Sequence, residues 1–230
     1  MNKRLILLSS SLLVLLYASL ILAFNVIFPK HEEANIFKTH YNNRVTVFKE
    51  ENKHYVDKQV DVVFLGDSLT EGYNTNYYYS EFVTLNRGIG GDTTFGLEKR
   101  LDVSAYQVKP KVVVMLIGAN NFKTMLQNYE DIIRQLKINL PDSEIVCLSL
   151  TAMGGEHWGR NNDIAKENNK EIKKIAEAYN CHFIDLFTPL FDKTTNEVYE
   201  GYTVDGGHFT RLGYDIITSL IKPKIKLLLG

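Results

Sequence analysis

Four short stretches of this chain carry residue types that could do chemistry together. Ser68 follows Gly66-Asp67 at the end of an apolar, β-branched run, Val60 to Leu65. A serine hydroxyl becomes a useful nucleophile only when a base takes its proton. Asp205-Gly206-Gly207-His208 offers such a base. Imidazole accepts a proton near neutral pH, and a carboxylate on its other ring nitrogen fixes the tautomer. The two glycines let both groups share one tight turn. The run Gly88-Ile89-Gly90-Gly91-Asp92-Thr93 can aim a peptide N–H at a developing oxyanion, and the side-chain amide of Asn120, in Gly118-Ala119-Asn120-Asn121, can donate to the same charge. Singly, each stretch has a plainer reading. Asp67-Ser68 reads as a helix N-cap, the Asp205–His208 pair as a solvated turn, and Asn120 as a cap on the next helix. Of the other five histidines only His157 lies in a loop at the same edge, which makes it the second choice of base.

Nucleotide chemistry is the main rival for the glycine-rich run. Thr93 stands where the third glycine of G-x-G-x-x-G belongs, and no GxxxxGK[ST] motif occurs. No group of His, Cys, Asp and Glu has metal-ligand spacing, and the proposed chemistry needs no metal or other cofactor.

The elements that must hold these stretches follow from hydrophobic patterning. Val60 to Leu65 reads as a strand buried on both faces, ended by Gly66. A second strand is predicted from about Val83 to Asn86, a third from Val112 to Ile117, a fourth from Ile145 to Leu150 and a fifth from His182 to Phe187. Helices are predicted over Tyr41 to Asn52, around Leu97 and Leu101, over Gln127 to Leu140, over Asp163 to Tyr179 and over Leu212 to about Leu228. Asn168 falls on the inward face of its helix and reads as a buried amide tying down a loop. Strands alternating with helices imply an α/β protein, a three-layer α/β/α flavodoxin-like sandwich on a five-stranded parallel sheet. The carboxyl ends of its strands would collect all four stretches.

The chain has 230 residues, 45% hydrophobic and 23% charged, enough for one domain with a sizeable core. A net charge of −1 and a pI near 6.6 leave no basic excess for nucleic acid. Lys3 and Arg4 precede an apolar run from Leu5 to Phe28 that is long enough to span a bilayer. The expected organisation is therefore a signal anchor or transmembrane helix over 1–28, a polar stalk over 29–40 and a catalytic domain over 41–230. That makes a single-pass protein of the cell membrane with its domain outside, the alternative being a cleaved signal peptide and secretion. Cys147 and Cys181 are expected as two buried free thiols.

GDSLT at 66–70, NRGIGGDTT at 86–94, GANN at 118–121 and DGGH at 205–208 occur in that order. Together they resemble the four blocks of the SGNH subgroup of GDSL esterases and lipases, over about residues 41 to 228. The resemblance implies the SGNH hydrolase fold, with Ser68 as nucleophile and Asp205 and His208 completing a triad. It implies an oxyanion hole from the Ser68 and Gly91 amides and the Asn120 side chain. Asn121 departs from the aspartate found there in many members. The implied activity is acyl hydrolysis or transfer, with no cofactor. The expected substrate is a short-chain, O-acetylated small molecule or cell-envelope glycan, because no long apolar insertion offers a lid. Tyr73, Tyr77, Tyr78, Tyr79 and Trp158 are read equally as sugar-stacking or as packing residues. The alternatives are an O-acetyltransferase, a lipase or lysophospholipase, and a non-catalytic binding module.

Overall fold

The computed structural model describes residues 35–230. They belong to two units, one ending at Asn42 and one running from Asn43 to Gly230. In the first, residues 35–42 are helical, including 35–40, where a stalk is expected. The second opens on helical residues 43–52 (α1), which bury Phe48 and Asn52. The expectation of a transmembrane helix in front of the sandwich is corrected. No helix among the described residues is long and apolar enough to cross a membrane, and residues 1–28 lie outside them.

Five strands form the sheet: β1 (Val62–Gly66), β2 (Thr84–Gly88), β3 (Val112–Leu116), β4 (Glu144–Leu148) and β5 (His182–Ile184). Their order is β2-β1-β3-β4-β5 and every neighbouring pair is parallel. This is the flavodoxin-like winding. The order turns at β1, so the crevice lies beyond the carboxyl end of the strand that leads to Ser68. Phe64 and Val114 are register partners that face Ile217 and Ile221 of the last helix. Val63, Leu65, Val113 and Met115 on the other face are as fully buried. Both faces are covered, which is why β1 and β3 are apolar without alternation.

The long helices are α5 (Leu126–Asn139), α7 (Asn162–Ala178) and α9 (Arg211–Leu229). Short ones fill the connections: α2 (Ser68–Glu71), α3 (Thr75–Tyr78), α4 (Thr94–Lys99), α6 (Gly155–Trp158) and α8 (Phe187–Leu190). The helix predicted around Leu97 and Leu101 stops at Lys99 and continues as a π-helical turn over Asp102–Tyr106. The predicted loop before Val204 contains a small antiparallel pair, β6 (Phe191–Asp192) with β7 (Glu197–Val198). Cys147 is buried; Cys181 is only half-buried, and both are free thiols.

Candidate active site

The β1 run ends in Gly66, and the chain turns at once into α2. Asp67 is the N-cap of that helix, its Oδ1 accepting from the Leu69 amide at 3.1 Å. Ser68 is therefore the first helical residue, at a helix N-terminus facing the crevice. The capping role and the placement of Ser68 are two results of one turn.

Asp205 and His208 meet on a second tight turn. Asp205 Oδ1 accepts from the Gly207 and His208 amides at 2.9 and 2.7 Å, while Oδ2 faces His208 Nδ1 at 2.7 Å. Gly206 has φ 88°, and a Cβ there would meet the Gly154 carbonyl at 2.0 Å, so the turn requires glycine. His208 Nε2 lies 3.0 Å from Ser68 Oγ. The structure thus brings Ser68, His208 and Asp205 into one hydrogen-bonded line across 140 residues of sequence. Burial alone would raise the Asp205 carboxyl, but the His208 amide and ring and the Gly207 amide outweigh it and hold it down at about 2. His157 is exposed and its ring packs on Trp158, 4.8 Å away.

The glycine-rich run forms a turn closed by the Asp92 amide donating to the Ile89 carbonyl at 3.1 Å. Gly91 has φ 75°, as the third residue of a type II turn must. Among the described residues no acceptor takes the Gly91 or Ser68 amide. Asn120 Nδ2 donates to the Asp92 carbonyl at 2.8 Å, which fixes the side-chain amide against the same turn and leaves it a second N–H. Asn121 ties this loop to the start of α4. Its Oδ1 accepts from the Thr94 amide at 3.3 Å and its Nδ2 donates to Thr94 Oγ1 at 3.0 Å.

These groups open on a cleft continuous with solvent. Leu69, Leu116, Phe122, Leu150, Met153 and Trp158 supply its apolar wall. Trp158 stands edge-on to the His208 ring at 5.8 Å and 89°. The loop that carries Met153 is pinned by buried Asn162, which accepts from the Met153 amide at 2.9 Å and donates to its carbonyl at 2.7 Å. Asn168 donates to the Phe122 carbonyl at 2.8 Å, a loop tie as expected.

Sequence reasoning missed three contributors. Asp67 lines the cleft, is 1% exposed, and its Oδ2 has no hydrogen-bond partner among the described residues. Burial pushes its carboxyl up to about 7; the Leu69 amide opposes that and the charge of Asp92 adds to it. Glu71 and Arg100 reach the glycine-rich turn from two sides, as developed below. The tyrosines divide. Tyr73 and Tyr79 are core: Tyr73 stacks on Tyr214 at 5.1 Å and bonds Thr218 Oγ1 at 2.6 Å, and Tyr79 is fully buried. Tyr78 donates to Asp215 at 2.7 Å, and Tyr77 stays 59% exposed. Among the described residues no three His, Cys, Asp or Glu side chains are grouped to hold a metal ion.

A family model described as the GDSL-like Lipase/Acylhydrolase family matches residues 64–216. Platelet-activating factor acetylhydrolase IB subunit alpha1 of Bos taurus is 27% identical over 172 residues, covering 69% of this chain and 72% of that protein. Among solved structures, a GDSL-like lipase from Bacteroides thetaiotaomicron superposes with a TM-score of 0.69 at 24% identity, over 79% of this chain and 97% of its own. The acetyl xylan esterase AlAXEase gives a TM-score of 0.61 at 19% identity, over 72% of this chain and 99% of its own. Both structural likenesses concern the fold.

Proposed function

The chain belongs to the GDSL-like lipase/acylhydrolase family, enzymes acting on ester bonds, and from that premise we propose that it hydrolyses short acyl esters, acetyl foremost, through Ser68, His208 and Asp205. The observation that carries this reading is the line Ser68 Oγ, His208 Nε2, His208 Nδ1, Asp205 Oδ2, with steps of 3.0 and 2.7 Å. In this reading His208 takes the hydroxyl proton as Oγ attacks the ester carbonyl carbon. The negative charge on the carbonyl oxygen is met by the Ser68 and Gly91 amides and by the second N–H of Asn120. His208 then returns the proton to the departing alkoxide. Water, deprotonated by the same imidazole, cleaves the acyl-enzyme and regenerates Ser68.

The apolar wall supports a small acyl group. Trp158, Phe122 and Met153 line the cleft beside Ser68. The named activity of the Bos taurus relative is likewise on an acetyl group. For the alcohol side we propose a carbohydrate hydroxyl. Support comes from the acetyl xylan esterase that shares the fold. A phospholipid acetyl ester is the second reading, favoured by the platelet-activating factor acetylhydrolase relatives.

The test is acetate release from acetylated xylan and from an acetylated ether phospholipid. Hydrolysis of p-nitrophenyl acetate, butyrate and octanoate runs alongside, for the full chain and for Ser68→Ala and His208→Ala. Activity on acetyl esters that falls with chain length and vanishes in both variants supports the reading. Folded protein that hydrolyses none of these esters overturns it, and transfer of acetyl to an added glycan would then identify a transferase.

A further inference from the structure

A turn built on two glycines does not hold a donor in place by itself. The Gly90-Gly91 turn is gripped from both sides. On one side, Glu71 Oε2 accepts from the Gly90 amide at 2.6 Å. Glu71 is the last residue of α2, the helix that begins with Ser68, so the element carrying the hydroxyl also holds the loop. Its Oε1 pairs with Arg44 Nε of α1 at 3.2 Å, and Arg44 also donates to the Gly88 carbonyl at 3.3 Å.

On the other side, Asp92 is 5% exposed and pairs with Arg100 Nε at 2.8 Å. Arg100, 2% exposed, also donates to the Gly66 carbonyl at 2.9 Å and to the Arg87 carbonyl at 2.8 Å. One guanidinium thus bonds the end of β1, the end of β2 and the loop between them and α4. The Asp92 carbonyl in turn accepts from Asn120 at 2.8 Å. A buried ion pair of this kind is often no more stabilising than apolar residues of the same volume; its best-attested use is to fix one arrangement among several.

We propose that Glu71 and Arg100 are positioning residues, a two-jawed clamp that sets the Gly91 and Asn120 donors against Ser68. The inference rests on the reading of Ser68 as nucleophile. A displacement of about 1 Å in such a site costs about 10²-fold in rate. Neither side chain lines the cleft, so the loss should fall on kcat and leave KM within about threefold, since ground-state contacts lie in the cleft.

The experiment measures kcat and KM on p-nitrophenyl acetate for the full chain and for Glu71→Ala, Glu71→Gln, Asn120→Ala and the Glu71→Ala/Asn120→Ala pair. Ser68→Ala runs as the control. Glu71→Ala should lower kcat about 10- to 100-fold. Glu71→Gln keeps an oxygen for the Gly90 amide and should restore most of it. In the pair the loss should be smaller than the product of the two single losses, because a clamp has little left to align once Asn120 is gone. Glu71→Ala with kcat within twofold of the parent, a loss carried by KM, or fully multiplicative losses would each overturn the clamp. So would a Glu71→Gln protein no better than Glu71→Ala. If Glu71→Ala does not fold, Glu71→Gln against Arg100→Lys decides in its place: a kcat loss confined to Arg100→Lys supports the clamp, and none in either overturns it. A Ser68→Ala protein as active as the parent overturns the nucleophile reading and the clamp with it; an inactive one beside an unimpaired Glu71→Ala overturns the clamp alone.

Discussion

Replacing Asp205 by asparagine isolates one element of the proposed mechanism, the tautomer of His208. Asp205 Oδ1 accepts from two backbone amides, Gly207 at 2.9 Å and His208 at 2.7 Å. In Asp205→Asn only the carbonyl oxygen can fill that position, since an NH2 group there would face two donors. The NH2 must then occupy the site of Oδ2, 2.7 Å from His208 Nδ1. A donor at that distance requires Nδ1 to be unprotonated, which places the imidazole proton on Nε2. That proton points at Ser68 Oγ, 3.0 Å away, and the nitrogen can no longer accept one. The turn itself is unchanged, so folding and substrate binding should survive. The wrong tautomer in a serine triad costs about 10⁴ in kcat, about 5 kcal/mol of barrier. The assay is kcat and KM on p-nitrophenyl acetate at pH 8, with thermal melting to show an intact fold. A loss below about tenfold would refute the reasoning, because Asp205 would then be dispensable as an orienting acceptor. Because the Asp205 carboxyl is held down at about 2, it stays ionised over the whole assay range and does not set the acid limb of the parent profile.

Two further outcomes are expected. Trp158→Ala opens the apolar wall beside Ser68, and the kcat/KM ratio of octanoate to acetate ester should rise by about tenfold or more, read from the same ester series; an unchanged ratio would show that the wall does not limit acyl length. The third prediction concerns pH. The folded Asp67 carboxyl is up at about 7, above its ordinary value, so between about pH 4 and 7 the folded state holds a proton that the unfolded chain releases. Stability from this group is therefore lost as pH rises through that window, by up to about 4 kcal/mol. Asp67→Asn keeps the cap oxygen and is expected to raise the melting temperature at pH 8.5 far more than at pH 4; an equal shift at both would sink this account.

The sheet was legible through β1, β3 and β4, whose residues are almost all buried. Each therefore reads as a continuous apolar run bounded by glycine or polar residues. The errors lie where a polar side chain sets the boundary. β2 runs on to Gly88, past the predicted Asn86, because Arg87 is buried in the strand with its guanidinium bonded to Asn52 and paired with Glu51. No hydrophobic pattern places an arginine inside. β5 stops at Ile184 and not at Phe187, because Asp185 Oδ1 takes the Phe187 and Thr188 amides and starts a helical turn. A cap three residues long outweighed an apolar run.

The site divides the same way. Ser68, Asp205, His208, Gly91 and Asn120 stood out because each sits in a short local motif, and the structure shows the local reason: a cap, a glycine turn, an amide fixed to that turn. The clamp residues had no such mark. Glu71 and Arg100 are ordinary charged residues whose default reading is a solvated surface. What makes them otherwise is distance in sequence. Glu71 meets Gly90 across 19 residues, and Arg100 meets Gly66 across 34. Only the parallel pairing of β1 with β2, which sets Gly66 beside Gly88, brings the two strand ends close enough for one guanidinium to bond both. In the proposed mechanism the reacting groups can thus be read from four motifs, while the aim of its donors rests on the sheet that joins them. Arg100 and Asp92 bury opposite charges beside the glycine turn, an arrangement whose best-attested use is to fix one conformation, and in the proposed mechanism the donors to a developing oxyanion are the groups that must keep one.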